Sequence, residues 1–299
     1  MIRQRTLKNI IKATGVGLHT GRQIHLSLRP APIDSGIVFR RVDLTAPLTI
    51  RACVAAAGST AGATSLREGT AEVAAVAHLL AACAGLGLDN VYVDVDAPEL
   101  PIMDGSAAPF VFLLQSAGMV EQVAPKRYLW IRKRVRVSTE DGQWAQLEPG
   151  SSFSMAYQSG SEAAADGASG QTLSLDFASA SFSRELSRAR HLNRLHTGSQ
   201  HTGNSLNNTV ILDTARTLGE GGLRYTDELS RHHLLDALGD LSLLSYRLKG
   251  VFSACQSDHT LHHRLLRALV ADEDAWEVLA SGVADSELSP AAERLARTG

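Results

Sequence analysis

The sequence has few cysteines, almost no net charge and no long apolar run. Its three cysteines form no Cys-x-x-Cys pair, and their odd number argues against a disulfide framework, so we expect a reducing, cytoplasmic location. The formal net charge of -2 provides no general basic field that would recruit nucleic acid. No apolar run reaches the roughly 18 residues of a membrane span. The first residues, MIRQRTLKNI, lack the apolar segment of a signal peptide. We therefore expect neither export nor a transmembrane segment.

Length and composition predict a globular protein with two domains. The chain has 299 residues, and domains commonly contain about 150. The hydrophobic fraction of 44% and the charged fraction of 20% are typical of folded proteins. Residues 1–125 and residues 126–299 both give the order strands, helix, strand, helix. We therefore predict an α+β fold of two topologically similar domains with these boundaries, whose sheets sandwich central helices.

Apolar periodicity and glycine stops predict the individual elements. The predicted helices span residues 71–84, 107–118, 183–195, 227–249 and 260–277. The predicted strands include residues 23–30, 37–41, 90–95, 128–137, 144–147, 171–177, 209–213 and 251–255. Residues 52–63 stay unassigned, and the Ser, Gly, Ala and acidic composition of residues 159–170 predicts a surface loop.

One predicted helix carries an unusual set of polar residues in the segment RHHLLDALGD. His232, Asp236 and Asp240 follow one another at intervals of four residues, so their side chains lie along one stripe of the helix. An imidazole and a carboxylate one turn apart can share a divalent ion, although zinc needs a third protein ligand. The alternative is an ordinary contact between a histidine and an aspartate on a helix that holds no metal.

A second predicted helix offers the third ligand. His78 is the one histidine in the apolar stretch AEVAAVAHLLAACA, and residues 78–82 (HLLAA) resemble residues 233–237 (HLLDA). The two halves of the chain could therefore each bring an apolar helix to one junction. Taken alone, His78 could equally be a buried core histidine.

Four segments carry a resemblance to a known family. They are residues 3–32 (RQRTLKNIIKATGVGLHTGRQIHLSLRPAP), 84–110 (AGLGLDNVYVDVDAPELPIMDGSAAPF), 186–190 (LSRAR) and 231–241 (RHHLLDALGDL). The chain resembles, over nearly its whole length, the zinc-dependent UDP-3-O-acyl-N-acetylglucosamine deacetylases of bacterial lipid A synthesis. The resemblance implies two α+β domains with zinc between them and hydrolysis of an amide on a UDP-linked amino sugar.

The resemblance also assigns site residues. It implies that His78, His232 and Asp236 are the zinc ligands, and that Asp240 orients His259, the general acid. Amide hydrolysis needs a metal to polarise the carbonyl and acidify water, a base, an oxyanion partner and an acid for the leaving amine.

Several positions depart from the family pattern, and three of them stand where catalytic groups are expected. The family's glutamate base before the first zinc histidine is Ala77 here, and a methyl group cannot accept a proton. The lysine after the second zinc histidine is His233, and the threonine after the SRAR motif, which helps to hold the oxyanion, is His191. A positioned base typically contributes about 10²–10⁴ in rate.

Two functional hypotheses follow, with a third that needs no metal. In the first, the chain is a deacetylase with altered or reduced activity in which His191 or His233 supplies the missing base or electrophile. The polar loop at residues 193–204 would then remake the passage for the substrate's acyl chain for a shorter or absent chain. In the second, it is a catalytically inactive paralogue that serves as a zinc-binding or regulatory protein, and the sequence indicates no particular protein partner. In the third, it is a structural module that keeps the three ligand residues apart.

Two groups of charged residues outside this set have alternative interpretations. Residues 126–127 and 132–134 are basic and could attract a nucleotide diphosphate, although their alternation favours a solvated sheet face. His262 and His263 follow His259 and are predicted to lie at the surface.

Overall fold

A computed structural model describes residues 1–58, 62–160, 172–177, 181–190, 192–194, 210–213, 216–218 and 222–281. The helices of this part of the chain are α1 Ala77–Leu86, α2 Ala108–Ala117, α3 Phe182–Glu185, α4 Glu228–Leu241 and α5 His259–Ala271. Short 3-10 turns span Val54–Ala56 and Ser242–Leu244. None of the described helices is both long enough and apolar enough to cross a membrane.

Nineteen strands accompany these helices in the described ranges. They are β1 Arg3–Leu7, β2 Ile11–Val16, β3 Gln23–Pro30, β4 Ile37–Arg41, β5 Leu48–Arg51, β6 Leu66–Glu68, β7 Ala71–Val73, β8 Val91–Val95, β9 Met119–Pro125, β10 Arg127–Ile131, β11 Val135–Ser138, β12 Trp144–Glu148, β13 Phe153–Gln158, β14 Thr172–Asp176, β15 Leu192–Arg194, β16 Val210–Asp213, β17 Arg216–Leu218, β18 Arg247–Cys255 and β19 Trp276–Ala280.

The strands form two main sheets. The first has five strands in the order β2-β3-β8-β4-β5, of which β4 and β8 are parallel. The second has seven strands, with β11-β12-β18-β10-β19 in one path and β13 and β14 attached to β18. Smaller sheets are β1-β9, β6-β7 and β15-β16-β17. The alternating sequence of β3 places Ile24, Leu26 and Leu28 in the core, as a strand with one buried face requires.

The helices lie between the two main sheets. Helix α1 packs against α2 and α4, while α4 also packs against α5 and β13, and α5 packs against β11 and β12. Apolar residues from both sheets and all of these helices join one core. This arrangement confirms the predicted α+β fold with central helices. The predicted domain boundary between residues 125 and 126 stays a prediction, although the first main sheet uses strands before it and the second uses strands after it.

A glycine allows the two central helices to approach closely. A Cβ atom added at Gly239 of α4 would overlap the backbone carbonyl of Ala77 at the start of α1. No side chain can therefore stand at position 239 without separating the helices. This contact fixes the first turn of α1, which carries His78, against α4.

Several predicted helix ends are wrong, and left-handed backbone explains two of them. The helix predicted at 71–84 begins only at Ala77, because residues 71–73 pair with β6 and Ala75 has φ of 57°. The helix predicted at 227–249 ends at Leu241, and Ser245, with φ of 63°, turns the chain into β18. A left-handed residue cannot continue a right-handed helix.

Three other predicted elements are too long because part of each predicted range has a different secondary structure. The helix predicted at 260–277 ends at Ala271, because residues 276–280 pair with β10. The strand predicted at 128–137 is interrupted at residues 132–134. The helix predicted at 183–195 is only the short α3, with β15 following it. Strands 23–30, 37–41, 90–95 and 144–147 and helix 107–118 are confirmed to within one residue at each end. All three cysteines are free, as predicted.

Candidate metal centre

Helices α1 and α4 bring three metal-ligating side chains together. His78 is the second residue of α1, and His232 and Asp236 lie one turn apart on α4. Nε2 of His78 lies 3.3 Å from Oδ1 of Asp236, and Nε2 of His232 lies 3.2 Å from Oδ2 of the same carboxylate. Tetrahedral ligands bound to zinc at about 2.0–2.1 Å are separated by roughly 3.3 Å from one another. Two imidazoles and one carboxylate at this spacing fit a zinc ion with one open position.

The LSRAR segment orients His232. Nδ1 of His232 lies 3.3 Å from the carbonyl oxygen of Ala189, so that Nε2 faces Asp236. The next residue, Arg190, is buried and holds the carboxylate of Glu228 on α4 through its Nε, at 2.9 Å. A carbonyl that accepts the second N–H of a histidine fixes its ring orientation for metal binding. The LSRAR segment thus holds the ring of the candidate ligand His232 in place without itself contributing a candidate metal ligand.

Asp236 carries a negative charge in this setting. Burial alone would raise the pKa of Asp236, but attraction to His232 and His259 and hydrogen bonds from His232 and His78 hold that pKa well below its usual range. A carboxylate that is deprotonated at neutral pH is the form that binds a metal ion.

A second group of side chains surrounds Asp240, which is completely buried. Nδ1 of His259 and Nδ1 of His262 lie 2.7 Å and 2.8 Å from Oδ2 of Asp240. The hydroxyl of Thr64 donates to Oδ1, and Nε2 of His263 lies 3.5 Å from the same oxygen. The two contacts to Oδ2 have hydrogen-bond lengths and are shorter than the roughly 3.3 Å between zinc ligands. The group is therefore a hydrogen-bonded cluster around one carboxylate.

The prediction that His262 and His263 lie at the surface is wrong. Their side chains are buried, with 1% and 2% of their surface exposed. Helix α5 begins at His259, so residues three and four positions later return to the face that carries His259. That face packs against Asp240, and the outer face of the helix lies elsewhere.

His259 links this cluster to the metal centre. Its Nδ1 is held by Asp240, and its Nε2 lies 3.8 Å from Oδ2 of Asp236. Burial would lower the pKa of His259, but attraction to Asp240 and then to Asp236 outweighs this and raises the pKa to about 10. His259 is consequently protonated at neutral pH in the geometry seen here. It is suited to donate a proton. The contact between Asp240 and Nδ1 of His259 is the contact needed if Asp240 orients this ring, as predicted.

A small cavity of about 30 Å³ lies beside these residues. This volume holds about one or two water molecules. The ionisable side chains in its described lining are His78, His232, Asp236 and His259. Ala77 also lines this cavity. Within the described lining, His259 is thus the ionisable group outside the candidate ligand set.

His233 points to a different part of the molecule. Its ring stacks on Tyr157 of β13, with centroids 4.7 Å apart and an angle of 12° between the planes. Burial, together with the nearby charge of His232, lowers the pKa of His233 to about 4. His233 is not among the described residues that line the small cavity. His191, the other predicted replacement residue, lies outside the described residues.

The basic residues near the start of the second sheet are paired with carboxylates. The closest pairs are Lys126 with Asp89 at 2.8 Å, Arg127 with Asp34 at 3.1 Å, Arg132 with Glu277 at 2.6 Å, Lys133 with Asp274 at 3.2 Å and Arg134 with Glu148 at 3.7 Å. Lys126 is buried, whereas Lys133 and Arg134 are largely solvated. Residues 132–134 are thus paired and exposed, but they lie in the connection between β10 and β11, so the predicted sheet face is wrong for them.

Comparison with known proteins agrees with the geometry of the site. The sequence model of the family described as "LpxC: UDP-3-O-acyl N-acetylglycosamine deacetylase" matches residues 4–271. The chain belongs to this family. The UDP-3-O-acyl-N-acetylglucosamine deacetylases of Thioalkalivibrio sulfidiphilus and of Nitrosococcus oceani are each 50% identical to it over 285 residues, which cover 93% of both chains. The enzyme of Methylococcus capsulatus is 47% identical over 286 residues, again covering 93% of both chains.

Three residues of the site were not predicted from the sequence. Thr64 precedes β6 and reaches Asp240 from the opposite half of the chain. His262 and His263 lie on the buried face of α5 and not on the predicted exposed face. His259, His262 and His263 contact Asp240, which lies 19 or more residues earlier in the chain. Contacts over this separation leave no periodic pattern in the sequence. The one sequence feature that points to these contacts with Asp240 is the group of three histidines within residues 259–263.

Proposed function

We propose that the chain binds one zinc ion through His78, His232 and Asp236 and hydrolyses an amide on a UDP-linked amino sugar with reduced activity. The proximity of the three donor atoms, which lie within 4.8 Å of one another, and the membership of the family support the metal site. Bound there, zinc would polarise the amide carbonyl and lower the pKa of a water molecule. The related proteins are named for a UDP-3-O-acyl-N-acetylglucosamine substrate, which is the substrate class we propose here.

His259 is the residue that we assign as general acid. Its Nδ1 is fixed by Asp240, whose negative charge favours the protonated ring, while its Nε2 faces the metal centre. It would transfer that proton to the nitrogen of the leaving amine as the bond between carbon and nitrogen breaks. Asp240 acts as a positioning residue, since its contacts are with His259 and the surrounding cluster.

The reduced activity follows from Ala77. A water molecule that attacks an amide must give up a proton, and the methyl group of Ala77 cannot accept one. The other ionisable side chain in the described lining of the small cavity is His259, which we assign as the acid. We therefore propose a rate that is lower by about 10²–10⁴ than that of a family member with a complete set of groups.

A catalytically inactive paralogue is the second candidate function. The same lining favours it, because its described ionisable side chains are the three candidate ligands and His259, so no separate group is present there to act as the base. In that case the chain would serve as a zinc-binding or regulatory protein. His191 and His233 remain candidates for a replacement base or electrophile in the first function. The stacking of His233 on Tyr157 gives that residue less support.

A paired measurement of zinc content and deacetylation tests the proposal. Zinc-loaded wild type should release acetate from UDP-3-O-acyl-N-acetylglucosamine slowly, and Ala77→Glu should release it faster. Asp236→Ala should lose both zinc and any activity. Zinc binding with no acetate release from either wild type or Ala77→Glu would favour the inactive paralogue, and absence of zinc from wild type would contradict both functions.

A further inference from the structure

A second and larger cavity, of about 460 Å³, lies at the other ends of α1 and α4. Ala84 and Gly85 near the end of α1 line it, as do Leu238 and Leu241 near the end of α4. Ala84 follows His78 by six residues, which corresponds to roughly 9 Å along a helix. This cavity, named here the distal cavity, is therefore separate from the metal centre. Its lining and the described lining of the small cavity have no residue in common.

Both halves of the chain build an apolar interior in the distal cavity. Ile37 of β4 and Ala52 come from the side of the first sheet, and Leu248 comes from β18 in the second. Phe153 and Phe177 also line it and stack on each other with ring centroids 5.2 Å apart. Small-molecule sites typically enclose about 300–1,000 Å³ and are mainly apolar with a few polar groups. The distal cavity has this size and this character.

Two cations in the lining have no carboxylate partner among the described residues. The guanidinium of Arg247 donates to the carbonyl of Ala84 at 2.6 Å, and Nζ of Lys249 donates to the carbonyl of Ser151 at 3.1 Å. Lys249 also lies over the ring of Tyr128, 5.7 Å from its centroid. These partners are neutral, so both positive charges stay available to an anion.

Asp89, the carboxylate among the described lining residues, does not cancel these charges. Asp89 lies 2.8 Å from the buried ammonium of Lys126, so its charge is matched by that partner. The basic residues 132–134, between β10 and β11, each have a carboxylate within 4 Å, unlike Arg247 and Lys249. The wall of the distal cavity therefore carries a surplus of positive charge beside an apolar interior.

We propose that the distal cavity binds an amphiphilic anion, an acyl chain that ends in a carboxylate. The carboxylate would accept hydrogen bonds from Lys249 and Arg247, and the chain would lie against Leu238, Leu241 and the stacked phenylalanines. Because the lining comes from both main sheets and both central helices, the ligand would contact both halves of the chain. This binding does not depend on the proposed hydrolysis or on the metal centre.

Calorimetric titration of laurate into the zinc-loaded full chain tests this proposal. We expect saturable binding of about one laurate per chain, and much weaker binding of the uncharged methyl laurate, which cannot form charge-assisted hydrogen bonds. The double variant Arg247→Gln, Lys249→Gln should weaken laurate binding at least roughly tenfold. Lys12→Gln, which removes an exposed charge from β2 outside the lining, is the matched control and should bind as wild type does.

A cavity-filling variant provides an independent test. Ala84→Leu places extra volume inside the distal cavity and should abolish laurate binding, while zinc content and the thermal midpoint report that the chain remains folded. UDP titrated in the same way should not compete with laurate. The proposal is overturned if no saturable binding occurs, if methyl laurate binds as tightly as laurate, or if the double glutamine variant binds laurate as well as Lys12→Gln does. If Ala84→Leu fails to fold, the comparison of the double glutamine variant with Lys12→Gln still tests whether the distal cavity binds laurate.

Discussion

Nδ1 of His259 lies 2.7 Å from Oδ2 of Asp240, an aspartate that is completely buried. The pair joins a hydrogen-bonded cluster to the candidate metal centre, because the other ring nitrogen of His259 faces Asp236. Oδ2 of Asp240 also accepts from His262, and Oδ1 accepts from Thr64. Two carboxylates one turn apart on α4 thus have different surroundings: Asp236 has the spacing of a metal ligand, and Asp240 has the spacing of a hydrogen-bond acceptor.

The first prediction concerns the metal. We expect about one zinc per chain in purified protein, because three donors at ligand spacing leave one open position. His232→Ala should lower the zinc content sharply. His25→Ala, which removes an exposed histidine on β3, is the matched control and should retain wild-type zinc. Elemental analysis that finds equal zinc in the two variants would rule out His232 as a ligand.

The second prediction concerns the contact between the central helices. Gly239→Ala should destabilise the fold by about 1–3 kcal/mol, since the added methyl group overlaps the carbonyl of Ala77 and forces α1 away from α4. The shift would also separate His78 from Asp236, so zinc affinity should fall. Chemical denaturation and a zinc titration with a fluorescent chelator measure the two effects. Unchanged stability and unchanged zinc affinity would show that the helices do not meet in this way.

The sequence predicted the candidate ligands better than it predicted the surrounding network. His232 and Asp236 have helical spacing within a regular apolar pattern, so their shared face could be read directly from the sequence. His78 needed the internal similarity and the family resemblance. The partners of Asp240 come from an irregular segment before β6 and from the first turn of α5, and the sequence contains no rule that joins those segments. Tertiary packing decides such contacts.

Helix ends were predicted poorly for a related reason. The alanine-rich stretch at 71–76 has a high intrinsic helix propensity, yet its first residues form β7 and Ala75 is left-handed. Pairing with β6 outweighs a propensity that amounts to only tenths of a kcal/mol per residue. The strand predictions were more accurate because alternation at residues 23–30 and 90–95 matches a half-buried sheet directly.

The third prediction concerns pH and the pair of His259 and Asp240 in metal-stripped protein. The pKa of folded His259 is about 10, above its unfolded value of about 6.5. Its contribution to stability is thus fully present below about pH 6.5 and is lost as pH rises toward 10. Thermal unfolding followed by circular dichroism should show a falling midpoint over this range. His259→Gln should flatten the dependence, and an equally steep fall in that variant would contradict the assignment.

The fourth prediction concerns His233. Its folded pKa of about 4 lies below the unfolded value of about 6.5, so its contribution to stability is present above about pH 6.5 and is lost as pH falls toward 4. His233→Ala should reduce the free energy of unfolding by at least about 0.5–1.5 kcal/mol, because the stack on Tyr157 is lost. Zinc content should remain at the wild-type level. A large loss of zinc in this variant would instead place His233 in the metal centre.

The central claim is that a bound metal without an adjacent base leaves hydrolysis weak. The decisive measurement is steady-state release of acetate from UDP-3-O-acyl-N-acetylglucosamine by zinc-loaded protein, with the relative from Nitrosococcus oceani assayed in parallel. The variants to include are Ala77→Glu and the triple change that adds His233→Lys and His191→Thr, since groups that act together are not additive. We predict that wild type is slower than the relative by at least about a hundredfold. Ala77→Glu should recover part of the difference. Wild-type turnover equal to that of the relative would contradict the claim and would direct attention to His191 or His233 as the base.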